Sequence, residues 1–180
     1  MTRDQTLLPK QVLRLCALGT VLQRGPLPYA DLAETVRDFT AHLIGPSLDM
    51  MGSSLELLRY DGLIAPVDGD TDDDGTALEI TDAGRTEFRA LMATSLPTPA
   101  SELSKLVVAL KVRFLHLLPA TAGRAEIAGV IERYEREIGR LADLRQRQAG
   151  EPGNFDAWLQ HDIDQNRRRL DWFRDLLSRL

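Results

Sequence analysis

The chain has 180 residues, 43% hydrophobic and 27% charged, which is room for one large or two small packed domains. Its formal charge of −5, from 22 basic and 27 acidic residues, does not mark it as a general binder of polyanions. No apolar run nears the roughly 20 residues of a membrane span and the start MTRDQTLLPKQ lacks signal-peptide character, so a cytoplasmic chain is expected; a single cysteine excludes an internal disulfide, and no Cys/His cluster has zinc-ligand spacing.

From Lys10 to Gln23, Val12, Leu13, Cys16, Leu18, Val21 and Leu22 approximate helical spacing before Gly25-Pro26. A second helix begins near Pro28, carries Leu32, Val36, Phe39 and Leu43, and stops at Gly45-Pro46. Ser47 stands at the N-cap position of a third, where Leu48, Met51, Leu55 and Leu58 share a face and Asp61-Gly62 closes it. Leu63 to Val67 and Ala77 to Thr81 read as a strand hairpin, with Pro66 confining the first strand to an edge. Thr81 caps a fourth helix with Phe88, Leu91 and Met92 on one face, and Pro97 and Pro99 suggest a domain boundary.

The rest is helical by pattern. A strongly apolar helix runs from a Ser101 cap to Pro119 and includes Phe114. Ile127, Val130, Ile131, Tyr134, Ile138, Leu141 and Leu144 then alternate spacings of three and four, and after Gly150 to Gly153 a similar stripe holds Phe155, Leu159, Ile163, Leu170, Phe173 and Leu177, widened by Trp158 and Trp172. The fold class expected is mainly α, with one small hairpin.

Three helices, a hairpin and a closing helix are the order of a winged helix-turn-helix. The run Leu55-Glu-Leu-Leu58-Arg-Tyr-Asp61-Gly62-Leu63-Ile64, followed by Leu78-Glu-Ile80-Thr81-Asp82-Ala83-Gly84-Arg85, resembles a signature shared by many bacterial winged-helix regulators. With its helical second half, the whole chain resembles the PadR family of transcriptional regulators. The resemblance implies a winged helix-turn-helix domain over residues 1–96 and a helical dimerisation domain over 97–180. It further implies a homodimer on a palindromic double-stranded operator, a recognition helix at about 47–62 in the major groove, and a small-molecule effector that releases the DNA.

On that reading the groove-facing candidates are Ser47, Asp49, Met50, Ser53, Ser54, Glu56 and Arg59, with Lys10, Arg14 and Arg37 as phosphate neighbours. The dimer seam would draw on Phe114, on Ile127, Ile131, Tyr134 and Ile138, and on Phe155, Trp158, Leu159, Ile163, Trp172 and Phe173. Tyr134, Trp158, Trp172 and Phe173 could also line an effector pocket, but a plain hydrophobic seam accounts for them.

Charge complicates this picture. Residues 1–95 hold 8 Lys and Arg against 15 Asp and Glu, a balance of −7, and the recognition helix lacks an early Arg or Lys to read guanine. Asp68, Asp70, Asp72, Asp73 and Asp74 crowd the hairpin tip, where like charges oppose a phosphate chain. Asp70, Asp72, Asp74 and Gly75 match the first part of a calcium loop, yet Thr81 stands where the bidentate glutamate belongs, so an acidic loop without a cation is the favoured reading. The rival function is an interaction protein with weakened DNA binding, its acidic face meeting a basic partner.

No enzyme is expected. His42, His116 and His161 lie apart and no phosphate loop, dinucleotide fingerprint or nucleophile elbow occurs, so no cofactor is implied. Cys16 on the apolar stripe reads as a buried thiol, and Arg167 to Arg169, among Asp162, Asp164 and Asp171, as a solvated face with local ion pairs.

Overall fold

A computed structural model describes residues 7–44, 51–67, 75–94, 102–148 and 152–180. It divides into two compact units, Met1–Leu118 and Pro119–Leu180.

In the first unit, α1 (Pro9–Arg24) starts with proline at a position where the missing N–H costs nothing, and the Leu8 N–H donates to Gln11 Oε1 at 2.8 Å. It ends at Gly25, whose φ of 83° suits glycine. Leu15 to Leu18 are fully buried, and α1 is the axis against which the other helices of this unit pack. Those are α2 (Tyr29–Ile44), α3 (Met51–Tyr60), α4 (Asp82–Met92) and α5 (Glu102–Phe114), the last continuing into a 3-10 turn at Leu115–Leu117.

Three strands rather than two make the sheet. The short β1 (Leu27–Pro28) precedes α2 and joins β2 (Ile64–Pro66) and β3 (Ala77–Ile80) in the order β1-β3-β2, both pairings antiparallel. β2 is at an edge, as Pro66 requires, and β3 is central, with Leu78 opposite both Leu27 and Pro66. Two residues ending in proline give no periodicity, so β1 leaves no trace in the sequence pattern.

Residues 97–118, assigned from the sequence to the second domain, include α5, and α5 packs in the first unit. Its Leu106, Val107, Leu110 and Phe114 are all fully buried, and the Phe114 ring meets Phe88 edge-on at 6.1 Å. A Cβ on Gly19 would stand 2.4 Å from that ring, so glycine there is what lets Phe114 reach α1. Phe114 is therefore core of the first unit rather than part of a seam between protomers. The buried Lys111 ammonium donates to the Met92 carbonyl, satisfying the last turn of α4.

The hairpin is tied to the helices by one hydroxyl. Thr81 Oγ1 accepts from the Gly84 N–H at 3.0 Å, which caps α4, and donates to the Gly62 carbonyl at 2.7 Å, with Leu63 O at 3.1 Å. Gly84 approaches so closely that an added Cβ would lie 2.1 Å from Leu63 O.

The second unit is an antiparallel pair, α6 (Ala120–Arg147) and α7 (Phe155–Arg179). Arg145 near the end of α6 meets Asp156 near the start of α7 at 2.8 Å, and Glu135 meets Arg174 at 2.7 Å. Ile127, Val130, Tyr134 and Leu141 of α6 are buried, as are Leu159, Ile163, Leu170 and Phe173 of α7. Among the described residues no helix is long and apolar enough to cross a membrane.

Gly84→Ala is expected to destabilise the first unit by about 2 kcal/mol or more, because backbone must move to admit the methyl group. Thr81→Ala should cost about 1–2 kcal/mol and Thr81→Ser much less, since serine keeps the cap. Urea denaturation of the three variants checks the order.

Candidate nucleic-acid interface

The last turns of α3 carry the outward-facing candidates. Leu55 and Leu58 face the core, while Glu56, Leu57, Arg59 and Tyr60 face outward, with Tyr60 88% exposed. Gly62 ends the helix with φ of 67°; its N–H donates to Arg59 O at 2.9 Å and the Leu63 N–H reaches back to Leu58 O at 2.9 Å. This paired closure satisfies carbonyls that would otherwise be orphaned, and buried Leu58 and Leu63 accompany it. Tyr29, at the start of α2, is a neighbour: burial first and then the Glu56 carboxylate push its phenol above the ordinary value, against the pull of Arg59.

The sequence expectations separate into three groups. Lys10, Arg37 and Arg59 are exposed on α1, α2 and α3. Arg14 is committed within the protomer, 2.6 Å from Asp61 and 3.4 Å from Glu87. Ser53 and Ser54 lie on the first turn of α3, whereas Ser47, Asp49 and Met50 fall outside the described residues, as do Asp70, Asp72 and Asp74 of the acidic loop. Leu57 and Tyr60 were not among the sequence candidates for the outer face. They lie off the Met51–Leu55–Leu58 stripe, and that spacing is the signal that would have found them.

In the helical unit, the expected seam residues also divide. Ile127, Tyr134, Leu159, Ile163 and Phe173 are consumed in packing α6 against α7, and Tyr134 stacks on Phe173 with ring centres 5.6 Å apart. Burial pushes the Tyr134 phenol up, while Arg169 pulls it down by charge and a hydrogen bond. Ile131 and Ile138 are partly buried, Ile138 against Leu141, Leu159 and Ile163. Phe155, Trp158 and Trp172 are about half exposed on α7, and Phe155 and Trp158 stack nearly parallel at 5.7 Å. Arg167 pairs with Asp164 at 3.2 Å, as its flanking carboxylates suggest.

Among the described residues no His, Cys, Asp and Glu cluster could hold a metal ion. His42, His116 and His161 are exposed, on α2, the 3-10 turn and α7 respectively.

Residues 2–177 match the family model AphA-like, described as "Putative AphA-like transcriptional regulator". No curated protein matches the chain by sequence. Similar solved structures include Bacillus subtilis PadR in complex with operator DNA, 16% identical, covering 93% of this chain and 98% of that one with a TM-score of 0.38. The same protein in complex with p-coumaric acid is 16% identical over 96% and 97% of the two chains, with a TM-score of 0.39. A PadR-like transcriptional regulator from Bacillus cereus is 20% identical over 93% and 96%, with a TM-score of 0.39.

Cys16 yields a pH prediction. Burial pushes its thiol up to about 12, against smaller downward pulls from Arg113 and the Thr20 hydroxyl. Below the ordinary thiol range both folded and unfolded chains hold the proton, so Cys16 contributes no pH dependence there. Above it the unfolded chain loses the proton first, and stability falls as pH rises toward about 12. Alkylation by iodoacetamide at pH 8 should accordingly be slow in the folded protein and fast in urea.

Proposed function

Since the chain belongs to the AphA-like family of transcriptional regulators, of PadR-like winged-helix type, we propose that it is a homodimeric, cytoplasmic, DNA-binding regulator whose α3 enters the major groove. The observation that carries this reading is the outer face of α3. Glu56, Leu57, Arg59 and Tyr60 are presented on a helix whose other face is locked into the core, and Tyr60 at 88% exposure has no packing role that would explain it. Exposed Lys10 and Arg37 on the flanking helices are suited to phosphate contact, which orients a protein on duplex DNA without reading sequence.

The first unit is then the reading head and the second the dimerisation element. Phe155, Trp158 and Trp172 support the second assignment. Three large aromatic side chains about half exposed on one helix are an apolar surface that a second copy of the chain would cover. Tyr134 and Phe173 fill the space between α6 and α7 with each other, which favours a packed seam over an effector cavity at that place.

Titration of the protein into a labelled mixed-sequence duplex, followed by anisotropy at several salt concentrations, tests the reading. Binding that weakens steeply with salt is expected; none at low salt would reject it. Lys10→Ala should lower the slope of log K against log salt by about 0.9, one phosphate contact. Tyr60→Asp should abolish measurable binding with the urea midpoint unchanged, because the side chain is solvated in the free protein. Trp158→Asp should convert the dimer to a monomer in light scattering.

A further inference from the structure

Arg14 stands between three elements. From the middle of α1, its Nη2 reaches Asp61 Oδ2 at 2.6 Å in the turn that ends α3, and its Nη1 reaches Glu87 Oε1 at 3.4 Å on α4. The side chain of Arg14 is only 27% exposed, so the guanidinium is held rather than waving in solvent. One cation faces two carboxylates, so the charge of Arg14 is already matched within the fold rather than held out to solvent.

Asp61 explains why a cation is needed there. It follows the last residue of α3, and its N–H donates to Leu57 O at 2.8 Å, so its carboxylate stands at the negative end of the helix dipole, where a negative charge is disfavoured. Arg14 offsets that repulsion. The same turn is held on its other side by Thr81 Oγ1, which donates to Gly62 O. A neutral hydroxyl and a guanidinium thus fix the end of α3 from the cap of α4 and from α1, next to the outward-facing Arg59 and Tyr60.

We propose that Arg14 is a positioning residue for DNA recognition: it sets the angle of α3 through Asp61 and Glu87 and makes no phosphate contact itself. This rests on the DNA-binding reading above. In a partly solvated network the effect is modest, and Arg14→Gln is expected to weaken binding to a mixed-sequence duplex by about fivefold.

The salt dependence and the sign of the Asp61→Asn effect distinguish positioning from direct contact. Positioning predicts that Arg14→Gln leaves the salt slope of the unsubstituted chain unchanged, that Asp61→Asn also weakens binding, and that the double variant is no worse than either single one. A phosphate contact predicts a slope lower by about 0.9, and tighter binding for Asp61→Asn because a carboxylate is removed near the duplex. Either of those results, or unaltered binding by Arg14→Gln, overturns the proposal while leaving the DNA-binding reading intact. Absence of salt-sensitive binding by the unsubstituted chain overturns both. Arg14→Lys, which keeps the charge but cannot span two carboxylates as the planar fork does, should fall between Arg14→Gln and the parent. A parental urea midpoint in Arg14→Gln separates positioning from a general loss of folding.

Discussion

The winged-helix unit depends on a three-way junction at the Thr81 hydroxyl. One oxygen accepts the Gly84 N–H that begins α4 and donates to the carbonyl of Gly62, where α3 has just ended. Gly84 must lack a side chain because Leu63 O occupies the space, and Gly62 must tolerate a positive φ because the chain reverses there. Three demands, a cap, a close approach and a left-handed residue, therefore converge within one small volume. Together they join the end of α3 to the hairpin and to the start of α4, beside the outward-facing Arg59 and Tyr60.

This convergence explains how much of the fold could be read from residues alone. Thr81 as a cap and Gly62 as a helix stop are local chemistry, visible in the spacing, and the structure has both. The close approach of Gly84 to Leu63 is tertiary and leaves no local mark. The placement of α5 illustrates the same limit. Pro97 and Pro99 look like a boundary, but the decisive fact is that Phe114 fits over Gly19, two residues far apart in sequence whose match in shape no periodicity announces. Seam residues such as Ile127 and Leu159 were legible as apolar stripes, but a stripe does not say whether its partner is a helix of the same protomer or of another. Arg14 was legible as a basic residue; its two carboxylate partners come from 47 and 73 positions away.

Electrostatics in the first unit are arranged for internal order before external binding. With a balance of −7 over residues 1–95, spending a scarce arginine on Asp61 and Glu87 lowers what remains for phosphate. On the DNA-binding reading proposed above, affinity would lean on a small number of exposed cations, and the shape of the α3 face would carry more of the recognition than long-range attraction.

The distribution of aromatic residues has an optical corollary. Both tryptophans of the chain, Trp158 and Trp172, are on α7, and each is about half exposed. The first unit carries tyrosine and phenylalanine only. Emission excited at the red edge of the indole band therefore arises from one helix of the second unit, and Trp158, stacked on Phe155, would register a covering of that face as a blue shift. Events confined to the first unit would be silent in the same channel, so the polypeptide carries its own wavelength-resolved label for one of its two halves.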